Sequence, residues 1–206
     1  MSEFMSYDPW RNVVTKNGVK GDLVISALQK SIRRGLTEEA STFAYEMYIT
    51  SEQFEEKLWR RLQAISVEDV GFGDLSAPVL INSLNQMRQN FPYTDPDRPL
   101  FFVHAIRYLS SAKKDRTSDN LKNIIVTEFE YGRKPEIPDF AKDMHTELGR
   151  SMGRDFKHFL KEGSRVENEL AVKENYKSRL LELIDKVDQN ESQKVNTSFM
   201  YNSWQA

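Results

Sequence analysis

From Asp22 to Phe129 the apolar residues recur at three- and four-residue intervals, and no segment alternates convincingly with period two. A chain patterned this way buries stripes along helices, so the expected fold is all-α, a compact antiparallel bundle. Val24, Ala27, Leu28 and Ile32 form the first stripe, with Asp22 expected as its cap and Gly35 as its stop. Thr37 is expected to cap a second helix carrying Ala40, Phe43, Ala44, Met47 and Tyr48, and Ser51 opens a third. Ser76 and Pro78 mark a fourth start, followed by Val79, Leu80, Leu84 and Met87 as its expected face. Three prolines between Asn90 and Pro99 make a loop, and Leu100 to Ser111 is apolar on most sides, hence deeply buried. His104 reads as a core residue of that helix. After a charged loop, Ser118 is expected to cap a helix built on Leu121, Ile124, Ile125 and Phe129.

The stretch Arg60 to Asp74, RRLQAISVEDVGFGD, breaks the pattern. Leu58, Leu62 and Ile65 continue a helix, then Glu68 and Asp69 precede Gly71 and Gly73. Carboxylates at a helix C-terminus are disfavoured by its partial negative charge. A basic neighbour, a new helix start or a partner chain must offset that cost; the plainer reading is a glycine C-cap. Arg33 and Arg34 are the nearest candidate partners, and a charge reversal at Arg33 is expected to be rescued by reversal at Asp69.

That stretch, as RxLxxIxxEDVGxGD, resembles the helical C-terminal region of the RarA/MgsA family of AAA+ ATPases, which includes the Werner helicase-interacting protein and is related to clamp loaders. Asp22 to Arg33, DLVISALQKSIR, is similar to that family's DLISALHKSIR signature. Ala40, Phe43 and Met47 fall where its AlxWlarM helix has Ala, an aromatic and Met, and Ala105-Ile106-Arg107-Tyr108-Leu109-Ser110 resembles its AxxYLA helix. The resemblance covers about residues 21 to 130. It implies a collar that holds ATPase subunits together as oligomers, in DNA replication or recombination repair. Residues 1–20 read as an arm docked through Trp10, 21–165 as the collar-like domain, and 166–206 as a C-terminal helix and flexible tail. Val166, Leu170, Tyr176, Leu180, Leu183, Ile184 and Val187 pattern that last helix. Phe199, Met200, Tyr201 and Trp204 in the tail suggest docking or a loose terminus.

The motor is missing. No GxxxxGK[ST] phosphate loop and no apolar strand ending in Asp-Glu occurs, so ATP hydrolysis by that family's mechanism is excluded. No GxSxG, cysteine nucleophile or dinucleotide loop is present either, and no cofactor is expected. Zero cysteines exclude disulfides and thiolate metal sites. His145 with Asp143, and His158 with Asp155, are the remaining metal candidates; local hydrogen bonding is the alternative for each. The expectation is therefore a protein without catalytic activity of its own.

With 29 basic and 31 acidic residues the net charge of -2 selects no partner, so a nucleic-acid surface must be a local patch. Lys113, Lys114 and Arg116 form one candidate. Arg150, Arg154, Lys157, Lys161 and Arg165 form another, spaced to share a helical face if residues 153–162 are helical. A solvated face paired with Asp155 and Glu162 is the plainer reading. The N-terminus is not a signal peptide and the longest apolar run, Leu100 to Val103, is far short of a membrane span, so a soluble cytoplasmic protein is expected. Met1 and the polar tail read as natural ends. Expected partners are further copies of the chain (dimer or tetramer), a separate AAA+ ATPase or replisome protein, or DNA.

The DNA alternative makes its own prediction. Binding to single- or double-stranded DNA should weaken steeply with salt and on substitution of Arg154 and Lys157, and undetectable binding at low salt removes it.

Overall fold

A computed structural model describes residues 9–173 and 175–188. The aromatic tail, like the first eight residues, lies outside the described residues. The chain falls into two compact units, residues 1–133 and 134–206. The first unit contains α1 (Gly21–Arg33), α2 (Thr37–Thr50), α3 (Glu52–Ile65), α4 (Ala77–Arg88), α5 (Arg98–Ser111) and α6 (Thr117–Glu130). The second contains α7 (Glu147–Ser151), α8 (Phe156–His158) and α9 (Tyr176–Asp188). Among the described residues no strand forms; one isolated antiparallel bridge joins Val14 to Lys20. No helix among them is long and apolar enough to cross a membrane.

The expected stripes build one core. Val24, Leu28 and Ile32 of α1 pack with Ala40, Ala44 and Met47 of α2, with Leu58, Trp59, Leu62 and Ile65 of α3, and with Phe102, Ala105, Ile106 and Leu109 of α5. Trp10 anchors the arm, its ring edge-on to Phe54 at 4.7 Å with Lys57 Nζ 5.5 Å over its face. Tyr48 and Tyr93 each donate a phenolic hydrogen bond to the other's carbonyl, fastening the proline-rich loop to α2.

Several local expectations are corrected. Asp22 does not cap α1: the bridge at Lys20 delivers the chain to Gly21 already helical, and Asp22 sits in the first turn. Thr37 does not cap α2 either. Leu36 closes the turn after Gly35 by donating to the Ser31 carbonyl at 2.9 Å and leads straight into the helix. Ser51 does cap α3, accepting from the Phe54 amide at 3.3 Å. The buried face of α4 is Ala77, Ile81, Leu84 and Arg88, whereas Val79 and Met87 are exposed. His104 is exposed, not a core residue. Residues 164–173 are not helical, so Val166 and Leu170 lie outside α9.

Arg88 turns inward because a carboxylate waits for it. Glu55 is 1% exposed, and its carboxylate accepts from Arg98 Nε at 2.9 Å and Nη2 at 2.9 Å while lying 3.3 Å from Arg88 Nη1. Arg98 also donates to the carbonyls of Arg88 and Phe91, which ties the end of α4 to the start of α5. Burial alone would lower the Arg98 pKa, but hydrogen bonds and charge from Glu55 outweigh it and hold the pKa above its ordinary value. Removing Glu55 would leave two guanidiniums in the interior without their common partner. Glu55→Ala is therefore expected to cost about 3–5 kcal/mol in urea denaturation. A loss below about 1 kcal/mol, the size typical of an exposed pair, would contradict this assignment.

Candidate functional site

The break at Glu68-Asp69 is a change of helix type. After Ile65 the backbone widens into a π-turn over Ser66–Val70, followed by a 3₁₀ turn over Gly71–Gly73. Such turns insert a residue into the helical register and re-aim side chains. The loop after α5 crosses directly over them. The Asp115 amide donates to the carbonyls of Asp69 at 3.0 Å and Val70 at 3.1 Å, which supplies partners for carbonyls left open at the helix end. Gly71 has a φ of +51°, and a Cβ there would lie 2.4 Å from the Asp115 carbonyl oxygen. A Cβ at Gly73 would lie 2.4 Å from that of Lys113, so backbone approach requires glycine at both positions.

The two carboxylates meet three guanidiniums. Asp69, whose side chain is fully buried, accepts from Arg33 Nε at 2.6 Å, from Arg116 Nη1 and from Gln29 Nε2 at 3.1 Å. Glu68 accepts from Gln29 at 2.7 Å, Arg33 at 3.2 Å, Arg116 at 3.3 Å and Arg61 at 3.5 Å. Asp119 takes the second nitrogen of Arg116 at 2.5 Å. Burial pulls the Arg116 pKa down, but hydrogen bonds from Asp69 and Glu68 and their charge overcome it and raise the pKa. The Asp119 carboxyl lies below its ordinary range, first through its hydrogen bond with Lys122. The cost of acids at a helix C-terminus is thus offset by cations from three elements.

This cluster brings together Arg33, Glu68, Asp69 and Gly71 as the sequence placed them, and adds Arg116. Arg34 stays apart, donating to the Lys30 carbonyl at 3.1 Å. Arg61 and Gln29 were not singled out, although each sits at helical spacing from a member: Gln29 is four residues before Arg33 and Arg61 seven before Glu68. With Arg116 in the cluster, Lys113, Lys114 and Arg116 make no common patch. Lys114 turns in, donating to the carbonyls of Leu109, Ser110 and Ala112, and burial lowers its pKa.

The second unit scatters its basic residues. Arg150 lies in α7; Gly153, with φ of +72°, ends that turn, and residues 152–155 are not helical. Arg154 folds back onto Asp139 through two 2.8 Å bonds and onto the carbonyls of Asp139 and Lys142 at 2.7 Å. Lys157 pairs with Asp185, Lys161 sits in a π-turn over Phe159–Gly163, and Arg165 lies 3.9 Å from Glu162 beyond that turn. The expected helix over 153–162 forms only from Phe156 and passes into the π-turn, so the single basic face expected from Arg150 to Arg165 is corrected.

His145 Nδ1 lies 3.2 Å from Asp143 and its amide donates to the same carboxylate, holding the Asp143 pKa low. Asp155 caps α8 by accepting from the His158 amide at 2.8 Å. Among the described residues no three histidine, aspartate or glutamate side chains gather as a metal site.

What the cluster positions is α6. Its Asp119 and the preceding Arg116 are held against the π-turn, and from there the helix runs on without burying a single side chain. Leu121 is 57% exposed and Phe129 51%, with Ile124, Ile125 and Val126 exposed between them. No protein-family model and no curated protein matches the chain.

The geometry replaces the simple charge swap as a test, because an arginine at position 69 would face Arg116. A double-mutant cycle of Arg33→Met and Asp69→Asn should instead give a coupling of about 1–2 kcal/mol in urea denaturation. Additivity within about 0.3 kcal/mol would show that the contact contributes nothing.

Proposed function

We propose that this protein is a non-catalytic helical interaction module that assembles with copies of itself. The observation that carries the reading is α6, an amphipathic helix with five large apolar side chains exposed and none buried. Scattered apolar residues on a surface need no explanation, but a contiguous stripe on one helix marks an interaction site. The charged cluster supports the same reading. Its carboxylates are engaged by guanidiniums and hold α6 in place, and they offer neither a nucleophile nor a general base. The resemblance of residues 21 to 130 to the collar of the RarA/MgsA family extends the proposal. On that basis the module works in the cytoplasm, in DNA replication or recombination repair, beside a separate AAA+ ATPase.

Light scattering of the full chain across a wide concentration range tests this directly. The expected mass rises above the 24.0 kDa of one chain toward a dimer or tetramer as concentration increases. A constant 24.0 kDa up to several hundred micromolar would refute self-assembly.

A further inference from the structure

The arm that leads into α1 is clasped to α2 at its tip. The Thr15 amide donates to the Val19 carbonyl at 2.8 Å and the Val19 amide to the Thr15 hydroxyl at 3.1 Å, which folds residues 15–19 into a tight turn. From that turn Asn17 gives Glu46 two hydrogen bonds, its backbone N–H to Oε1 at 2.9 Å and its side-chain Nδ2 to Oε2 at 2.6 Å. The Lys16 amide adds a tie to Thr50 Oγ1 at 3.0 Å. The Thr15 hydroxyl first, and the two Asn17 donors after it, hold the Glu46 carboxyl below its ordinary range, so it is ionised in the closed arm. Gly18 follows with a φ of +78°, and nothing lies within 4 Å of where its Cβ would stand. Asn17 and Gly18 are both exposed, and they are the chain's single Asn-Gly pair.

Asparagine is chemically labile, and a glycine after it leaves the next peptide nitrogen unshielded. We propose that Asn17 is a site of spontaneous deamidation, and that Glu46 makes the conversion a one-way release of the arm. The deprotonated Gly18 nitrogen attacks Asn17 Cγ. A C–N bond forms to close a cyclic imide, the Cγ–Nδ2 bond breaks, and Nδ2 leaves as ammonia with the proton that Gly18 gave up. Water then adds to either imide carbonyl and opens the ring, giving aspartate or isoaspartate and releasing a proton. While the arm is closed both reacting groups are engaged: the Gly18 N–H donates to the Thr15 carbonyl at 2.9 Å, and Nδ2 is bound to Glu46. The reaction therefore proceeds from a local opening of the arm. Afterwards a carboxylate oxygen stands where Nδ2 lay 2.6 Å from Glu46, so a donor has become a like charge. Lys16, whose charge also acts on Glu46, softens that repulsion, but the hydrogen bond is gone.

Both halves are measurable in the full-length chain. During incubation in mildly alkaline buffer, peptide mass spectrometry should find Asn17 converted to the acid. Glu46→Ala should speed that conversion at least about tenfold, because it removes a charge-assisted clasp. Circular dichroism confirms that the variant keeps its bundle. No conversion at position 17 in folded Glu46→Ala, or the same rate as in the parent chain, overturns the site. Asn17→Asp reads the release directly. Amide exchange followed by NMR should quicken about tenfold from Lys16 to Val19 while the core amides of α2 and α3 stay as they were. Adding Glu46→Gln to that variant exchanges amide and carboxylate across the contact and should restore the protection, which a merely structural defect at the tip would not allow. Unchanged exchange in Asn17→Asp, or no restoration by Glu46→Gln, overturns the release.

Discussion

A carboxylate removed from water beside the negative end of a helix is unstable unless cations reach it, and Asp69 is held by that requirement. Its partners come from α1 through Arg33 and from the segment ahead of α6 through Arg116, so one buried charge fixes three parts of the chain to each other. The glycines at 71 and 73 belong to the same constraint. Only without side chains there does the loop of residues 113–115 come close enough for its amide to reach the helix-end carbonyls. Stability and placement are therefore coupled at this point: weakening the cluster loosens the take-off of α6 as well as the bundle.

The bundle contains a second buried ionic group, and the two differ in what they join. Glu55 with Arg88 and Arg98 closes the loop between α4 and α5 inside the core. Asp69 and Glu68 work at the edge, where Arg33, Arg61 and Arg116 keep roughly a quarter to a third of their side-chain surface in solvent. An edge cluster built from arginine forks sets direction, because each guanidinium binds at fixed angles. The direction it sets is that of α6, which leaves the core with its apolar face uncovered.

The bundle was legible in the sequence where burial is one-sided. The stripes of α1, α2 and α3 show a plain three-and-four spacing, and the dipole argument called for an offset to Glu68 and Asp69, for which Arg33 and Arg34 were the candidate cations; the structure selects Arg33. Reading failed where a polar side chain took a core position. Arg88 belongs to the buried face of α4, and hydropathy cannot assign it there without knowing that Glu55 waits opposite. Gln29 was missed for a related reason, since its partners Arg61, Glu68 and Asp69 lie 32 to 40 residues away; Arg61 lies only seven residues before Glu68, a spacing that a local reading could have used. The basic spacing from Arg150 to Arg165 misled because Gly153 and the bonds of Arg154 to Asp139 break the helix that the spacing assumed. Periodicity identified α6 correctly as amphipathic, but it cannot say whether the apolar face meets the protein's own core or another molecule.

That last distinction is the centre of the account. α6 is anchored at its first turn by paired charges and carries an open apolar face, and the proposed assembly covers that face with a second copy. Amide hydrogen exchange measured at low and high protein concentration reads this residue by residue. The account predicts that amides of α6 gain protection as concentration rises while those of α1 to α5 stay unchanged. Exchange in α6 that is independent of concentration, in samples where the mass has doubled, would contradict it.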